Sequence, residues 1–211
     1  MSIVTIDDGK ANVFGLPMTS AFEAALDEVD PDAGAVVIEG RDGLYSGGFD
    51  LKVLNSGDEQ ASKHMREAGV KLALRVFDFP RPIVAAGTGH AIAMGCIFNM
   101  GIDWRIGAKG NFKHGLNEVA KGLALPPFAI EFSRYRLNRQ YFQRAVLHSQ
   151  LFSPEEAIEA GLLDELAEPD RVRLAARETA EQLASLPNPA YAASKARDRA
   201  PAKQLISQAQ V

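Results

Sequence analysis

Apolar residues change their spacing several times along the chain, and each change marks an element. Residues 2–6 are short and β-branched and read as a strand, closed by the turn-forming Asp7-Asp8-Gly9. From Met18 the apolar positions Met18, Phe22, Ala25 and Val29 fall at helical spacing; Pro17 stands near the start and Asp30-Pro31 ends the run. Ala35-Val36-Val37-Ile38 is an unbroken apolar run, the pattern of a strand buried on both faces of a parallel sheet. Gly40 to Asp50 reads as a glycine-rich loop. A long helix is predicted over 59–78, with Met65, Ala68, Leu72 and Val76 on one face and Pro80 and Pro82 beyond its end. Ile83-Val84-Ala85-Ala86 is a second buried strand that runs into a small-residue segment, Gly87 to Gly95, and residues 103–107 form a third. After residue 126 the periods are helical: 127–137, 139–148, 154–160, 170–186 and 189–198.

Strands alternating with helices in the first half imply an α/β fold of parallel βαβ units, followed by a purely helical region. The expected organisation is one domain over 1–211, with an α/β core at 1–125 and helices at 126–211. A chain of 211 residues, 46% hydrophobic and 24% charged, is long enough for one sizeable core and too short to require two. The formal charge of −4, with Lys and Arg scattered among acids, gives no nucleic-acid footprint but leaves room for a local basic pocket for a phosphorylated ligand. The single cysteine, Cys96, excludes an intrachain disulfide. The start of the chain lacks a signal-peptide pattern, and no apolar run approaches the roughly 20 residues of a membrane helix. A cytoplasmic protein without membrane contact is the expectation.

Two glycine-rich segments leave buried strands: Ser46-Gly47-Gly48-Phe49-Asp50-Leu51 and Gly89-His90-Ala91-Ile92-Ala93-Met94-Gly95-Cys96. Ligands of parallel α/β folds sit beyond the carboxyl ends of strands, so two such loops can flank one site. Glycine permits close backbone approach, and N–H groups at a loop-to-helix junction can point at an anion. On composition alone the same glycines serve equally well as tight turns. Neither loop fits a dinucleotide fingerprint, and no Gly-Lys-Ser/Thr phosphate loop occurs.

The order of motifs resolves this. Lys10-Ala11-Asn12, the Ser46–Leu51 loop, Pro82–Ala86 with Gly89-His90-Ala91, Asp103-Trp104-Arg105-Ile106, Phe112 with Gly115-Leu116-Asn117-Glu118-Val119 and Gly122-Leu123, and Ser153–Ala157 with Ala160–Leu163 follow one another along the chain. In that order and spacing the segment Ala11–Leu163 resembles the enoyl-CoA hydratase/isomerase (crotonase) family. Each motif alone is weak; six in order are specific.

The resemblance implies a spiral of ββα/βαβ units followed by helices, usually assembled as homotrimers or hexamers. It implies an acyl-CoA thioester as substrate, with coenzyme A entering as part of it and no separate cofactor. The thioester carbonyl would be held by the backbone N–H groups of Phe49 and Met94. The family normally has glycine where Met94 stands, so its side chain is expected to narrow the pocket or tilt the peptide. Hydratases of the family hold a water between two glutamates; here the first position is Ile97 and the second is Glu118. A single carboxylate can take a proton from C2 and return it to C4, the Δ3,Δ2-enoyl-CoA isomerase reaction. Gly115-Leu116-Asn117-Glu118 also resembles the isomerases, where hydratases usually show Pro-Glu.

The same resemblance puts Ser46, Gly47, Asp50, Leu51, Lys52, Ala93, Ile97, His114 and Asn117 around the substrate. Lys52 matches a position near the CoA phosphates, while Asp50 suits local backbone hydrogen bonding. His114 lies four residues before Glu118 and is a candidate pocket wall. The four histidines and Cys96 show no metal-ligand spacing, and Cys96 reads as buried packing. Family members typically continue some tens of residues past the position of Val211, and those helices cover the acyl site and build the trimer; a more open pocket and altered assembly are the expectation. Three functions are compatible: the isomerase, another crotonase reaction such as hydration or thioester hydrolysis, and a non-catalytic acyl-CoA-binding protein.

Overall fold

A computed structural model describes residues 1–208. From β3 onward, successive passes of the chain add one strand to a large sheet and one to a small sheet. β1 (Ser2–Ile6) enters the large sheet and β2 (Val13–Phe14) leaves it, before α1 (Leu16–Asp27). The next pass is β3 (Val36–Gly40), β4 (Gly43–Ser46) and β5 (Gly48–Phe49), then α2 (Leu51–Leu54) and α3 (Glu59–Phe77). β6 (Ile83–Gly87), β7 (Gly89–Ile92) and α4 (Met94–Met100) follow, then β8 (Trp104–Ala108) and β9 (His114–Gly115). The large sheet runs β1-β3-β6-β8, closed by β10 (Glu165–Ala167); the small one runs β4-β7-β9, and β2 pairs with β5. All these pairings are parallel, with Val36 opposite Ile83 and Val84 opposite Trp104. This is the expected spiral.

The remaining elements are α5 (Pro127–Arg136), α6 (Arg139–Val146), α7 (Pro154–Ala160), α8 (Val172–Ala184) and α9 (Asn188–Gln208). Period-two alternation splits the large sheet between two cores. Val36, Ile38, Ile83 and Ala85 face the main core with Phe22, Leu72, Val76 and Phe128. Val37, Val84, Ala86, Ile106 and Ala108 face α8, whose Ala176 and Ala180 let it approach closely. This explains the unbroken apolar runs: both faces of these strands are covered.

Three expectations need correction. The region after residue 126 is not purely helical, because β10 extends the large sheet and Phe152 exchanges backbone hydrogen bonds with His114. The span Gly40–Asp50 contains β4 and β5 rather than a loop alone. The last helix continues past Asp198 to Gln208 through Pro201, held by flanking contacts: Lys195 and Arg199 on Asp103, Lys203 on Asp78, and the buried Ile206.

The Asp103-Trp104-Arg105-Ile106 motif supplies the pins of this architecture. Asp103 accepts from Ile83 N–H, Lys195 Nζ and Arg199 Nη2, each at 2.7 Å. Arg105, almost wholly buried, grips Asp164 bidentately at 2.8 Å and the Gly161 carbonyl at 2.9 Å. Arg199 also caps the carbonyls of Phe77 and Gly101, at the ends of α3 and α4. Breaking one side of a buried ion pair leaves uncompensated charge, so Asp103→Ala is expected to cost about 3–5 kcal/mol in urea unfolding.

Candidate active site

The first glycine loop is built on the N-terminal turn. Asn12, fully buried, donates through Nδ2 to the carbonyls of Ile6 (2.9 Å), Leu44 (3.2 Å) and Tyr45 (3.2 Å). Ser46 Oγ donates to Asn12 O at 2.7 Å and accepts from Gly48 N–H at 3.2 Å, while Gly47 N–H donates to Ala11 O at 2.9 Å. The Ser46 hydroxyl and the Gly47 N–H are thus engaged with the turn itself. Their observed contacts fix the loop.

The second loop closes on the first. A Cβ at Gly95 would fall 2.6 Å from Ser46 Cβ, so only glycine fits there without displacement. Gly48 has φ +99°, and a Cβ on it would lie 3.0 Å from Ala93 Cβ, 3.2 Å from Ile92 O and 3.2 Å from Met94 N. The Gly48–Phe49 segment therefore lies directly against the start of α4. Met94 is the first residue of that helix, where N–H groups have no intrahelical acceptor. Ala93 before it holds φ +52°, a conformation rare for non-glycine residues that costs on the order of 1–3 kcal/mol. Its N–H on Gly115 O (2.9 Å) helps hold it there. The Met94 side chain is fully buried in the main core beside α3, so this methionine contributes packing as well as a backbone N–H.

β9, paired with β7, leads into Glu118. Ala91 and Ile92 pair with His114 and Gly115, and Glu118 follows at the start of the 3₁₀ turn Val119–Lys121. Its Oε2 is buried without a hydrogen-bond partner. Burial raises the Glu118 carboxyl above its ordinary value of 4.5, opposed by its own and Asn117's backbone N–H and by Lys121. The Cys96 thiol is pushed up to about 12, chiefly by burial and next by the Glu118 charge. The carboxylate and the first turn of α4 are thus electrostatic neighbours.

Other residues separate. Ile97 is buried in α4 and Asn117 is half-buried beside Glu118. His114 is buried, and its imidazole is held down to about 4, first by burial and then by His90. At neutral pH it is an uncharged core residue. Asp50 caps α2 by accepting from Lys52 N–H at 2.9 Å. With the exposed Leu51 and Lys52, Asp50 lines a surface cavity of about 470 Å³, which Asp8, Lys10 and Met18 also line. Among the described residues no group of three or more His, Cys, Asp or Glu could hold a metal. Sequence reasoning passed over the hydrogen-bonding role of Asn12 and the strained Ala93; the Lys10-Ala11-Asn12 motif was the signal for the former.

The enoyl-CoA hydratase/isomerase family model matches residues 1–211. The chain belongs to the enoyl-CoA hydratase/isomerase family. It is 31% identical over 178 residues to the probable enoyl-CoA hydratase echA17 of Mycobacterium avium, covering 82% of this chain and 68% of that relative. The crystal structure of probable enoyl-CoA hydratase EchA3 from Mycobacterium tuberculosis superposes with a TM-score of 0.94 at 42% identity, over 97% of this chain and 87% of that one. An apo structure of an M. tuberculosis enoyl-CoA isomerase gives 0.93 at 41%, over 97% and 89%. The fold is that of the crotonases, and the chain is an enzyme of this hydratase/isomerase family. Both activity names occur among its relatives.

Proposed function

We propose that this family member is a Δ3,Δ2-enoyl-CoA isomerase with Glu118 as its one acid–base group. The observation that carries the reading is an unpartnered, buried Glu118 oxygen just beyond β9, the strand paired with the β7 that leads into α4, with Ile97 where hydratases of the family carry a second glutamate. In this reading the thioester oxygen accepts from the N–H groups of Phe49 and Met94, which stabilise negative charge as it develops. Glu118 removes a proton from C2 to form the dienolate and returns it to C4, and burial keeps water from competing. Lys10 and Lys52, on the rim of the 470 Å³ cavity, would meet the CoA phosphates. Assembly as a homotrimer or hexamer and a cytoplasmic location belong to the same proposal; no described helix is long and apolar enough to cross a membrane.

A 3-enoyl-CoA deuterated at C2 tests the single-carboxylate mechanism. Early in conversion, deuterium is expected at C4 of the 2-enoyl product. A product whose C4 carries solvent hydrogen only would sink it. Formation of 3-hydroxyacyl-CoA from a 2-enoyl-CoA would instead favour the hydratase reading carried by several relatives' names.

The raised Glu118 carboxyl sets a pH dependence. The base must be ionised, so kcat/KM is expected to fall as pH drops through a value above 4.5. Linkage gives the sign for stability: the folded state holds this proton more tightly than the unfolded chain. Stability is therefore lost as pH rises from the unfolded value through the folded one. Glu118→Gln is expected to raise the Tm at pH 8 and to leave it unchanged near pH 4, as thermal unfolding would show.

A further inference from the structure

The two proposed donors come from different segments, Phe49 from β5 and Met94 from α4, and a third segment touches both side chains at one point. That point is Gly69, in the interior of the 19-residue α3, where neither cap nor turn calls for glycine. A Cβ built on Gly69 would lie 2.6 Å from Phe49 Cε1, 3.0 Å from Phe49 Cζ and 3.7 Å from Met94 Cε. The Phe49 ring occupies the space that any other residue at position 69 would need, and the thioether methyl lies beside it. Glycine inside a helix is unfavourable relative to alanine, so the position sacrifices local helix preference for this contact.

We propose that Gly69 is a positioning residue for the enoyl-CoA reaction: by seating the Phe49 ring on α3 beside the Met94 thioether, it sets the spacing of the two peptide N–H groups. This rests on the donor roles given to Phe49 and Met94 above. A Cβ at 69 forces the ring away by about 1 Å to reach ordinary contact, and the ring is carried by the residue whose N–H is the donor. Misplacement of that size lowers catalysis by on the order of 10²-fold where reacting groups must be aligned. The CoA end of the substrate binds elsewhere and is unaffected.

The test uses full-length protein and two readouts. The first is kcat and KM with 3-enoyl-CoA; the second is the fraction of bound acetoacetyl-CoA present as its ultraviolet-absorbing enolate, which reports stabilisation at the carbonyl oxygen without turnover. Gly69→Ala is expected to lower kcat tenfold to a hundredfold and to reduce the enolate fraction, with KM changed less than about threefold. Phe49→Leu, which lacks Cε1 and Cζ, is expected to make the same substitution harmless: Phe49→Leu/Gly69→Ala should match Phe49→Leu in kcat and exceed it in Tm. If Gly69→Ala does not fold alone, the double variant is read by the enolate fraction, which the positioning role requires to match Phe49→Leu. Wild-type protein that promotes the enolate while Gly69→Ala does so equally overturns the positioning role. A double variant as defective as Gly69→Ala overturns it too. Wild-type protein that binds acetoacetyl-CoA without promoting its enolate overturns the donor assignment itself.

Discussion

Glu118→Gln is expected to lower kcat for 3-enoyl-CoA isomerisation by at least about 10³-fold, while affinity for the CoA ester stays within about threefold. General acid–base groups contribute roughly 10²–10⁴-fold, and here one carboxylate would perform both transfers, placing the loss in the upper part of that range. A loss of 10³ corresponds to about 4 kcal/mol of transition-state stabilisation. Glutamine keeps the shape of the half-buried side chain but cannot accept a proton, so the loss reads as chemistry rather than packing. The retained affinity follows because the CoA end would bind at Lys10 and Lys52, on the rim of a cavity that Glu118 does not line. A variant that loses binding along with turnover would mean that Glu118 organises the loop instead.

The second large effect is expected at Gly48. Its φ of +99° is disfavoured for any L side chain, and a Cβ there meets Ala93 Cβ at 3.0 Å and Met94 N at 3.2 Å. Gly48→Ala therefore carries a backbone cost of about 1–3 kcal/mol and, separately, pushes the first loop off the start of α4. Loss of a single oxyanion donor lowers kcat by about 10²–10³-fold in comparable sites, and a drop of about 10² is expected here. Gly9→Ala is the control, since Gly9 has φ +70° but nothing within 4 Å of its would-be Cβ. It should show the strain in its Tm and leave kcat unchanged. If both variants lower kcat alike, strain and not loop contact is responsible.

The parts of the fold legible in the sequence are those whose environment is uniform. β3 and β6 are covered on both faces and so appear as continuous apolar runs. α1 and α3 lie half in the core and show their period. β5 and β9 are two residues each and centred on glycine, so they carry no alternation to read. β10, Glu-Leu-Ala, has no β-branched residue and is a strand only because β8 offers it an edge. α9 passes Pro201 because ion pairs to Asp103 and Asp78 hold the helix on both sides of it.

Motif order pointed to the two loops and Glu118 as a candidate site, but spacing could not say that Gly48 rests on Met94 N or that the methionine side chain turns into the core. Those facts depend on segments nearly fifty residues apart. The Asp103–Ile106 motif shows the same limit. It marked the family, and only the structure shows that its Asp and Arg fasten the C-terminal helices to the sheet.

The most direct measurement is product analysis. Purified protein is incubated separately with cis- and trans-3-enoyl-CoA and with trans-2-enoyl-CoA esters, and 2-enoyl-CoA and 3-hydroxyacyl-CoA are quantified side by side for the wild type and Glu118→Gln. Formation of 2-enoyl-CoA by the wild type alone, without a hydroxylated product, is the expected result. Hydroxylated product from the wild type, or equal conversion by Glu118→Gln, would contradict it.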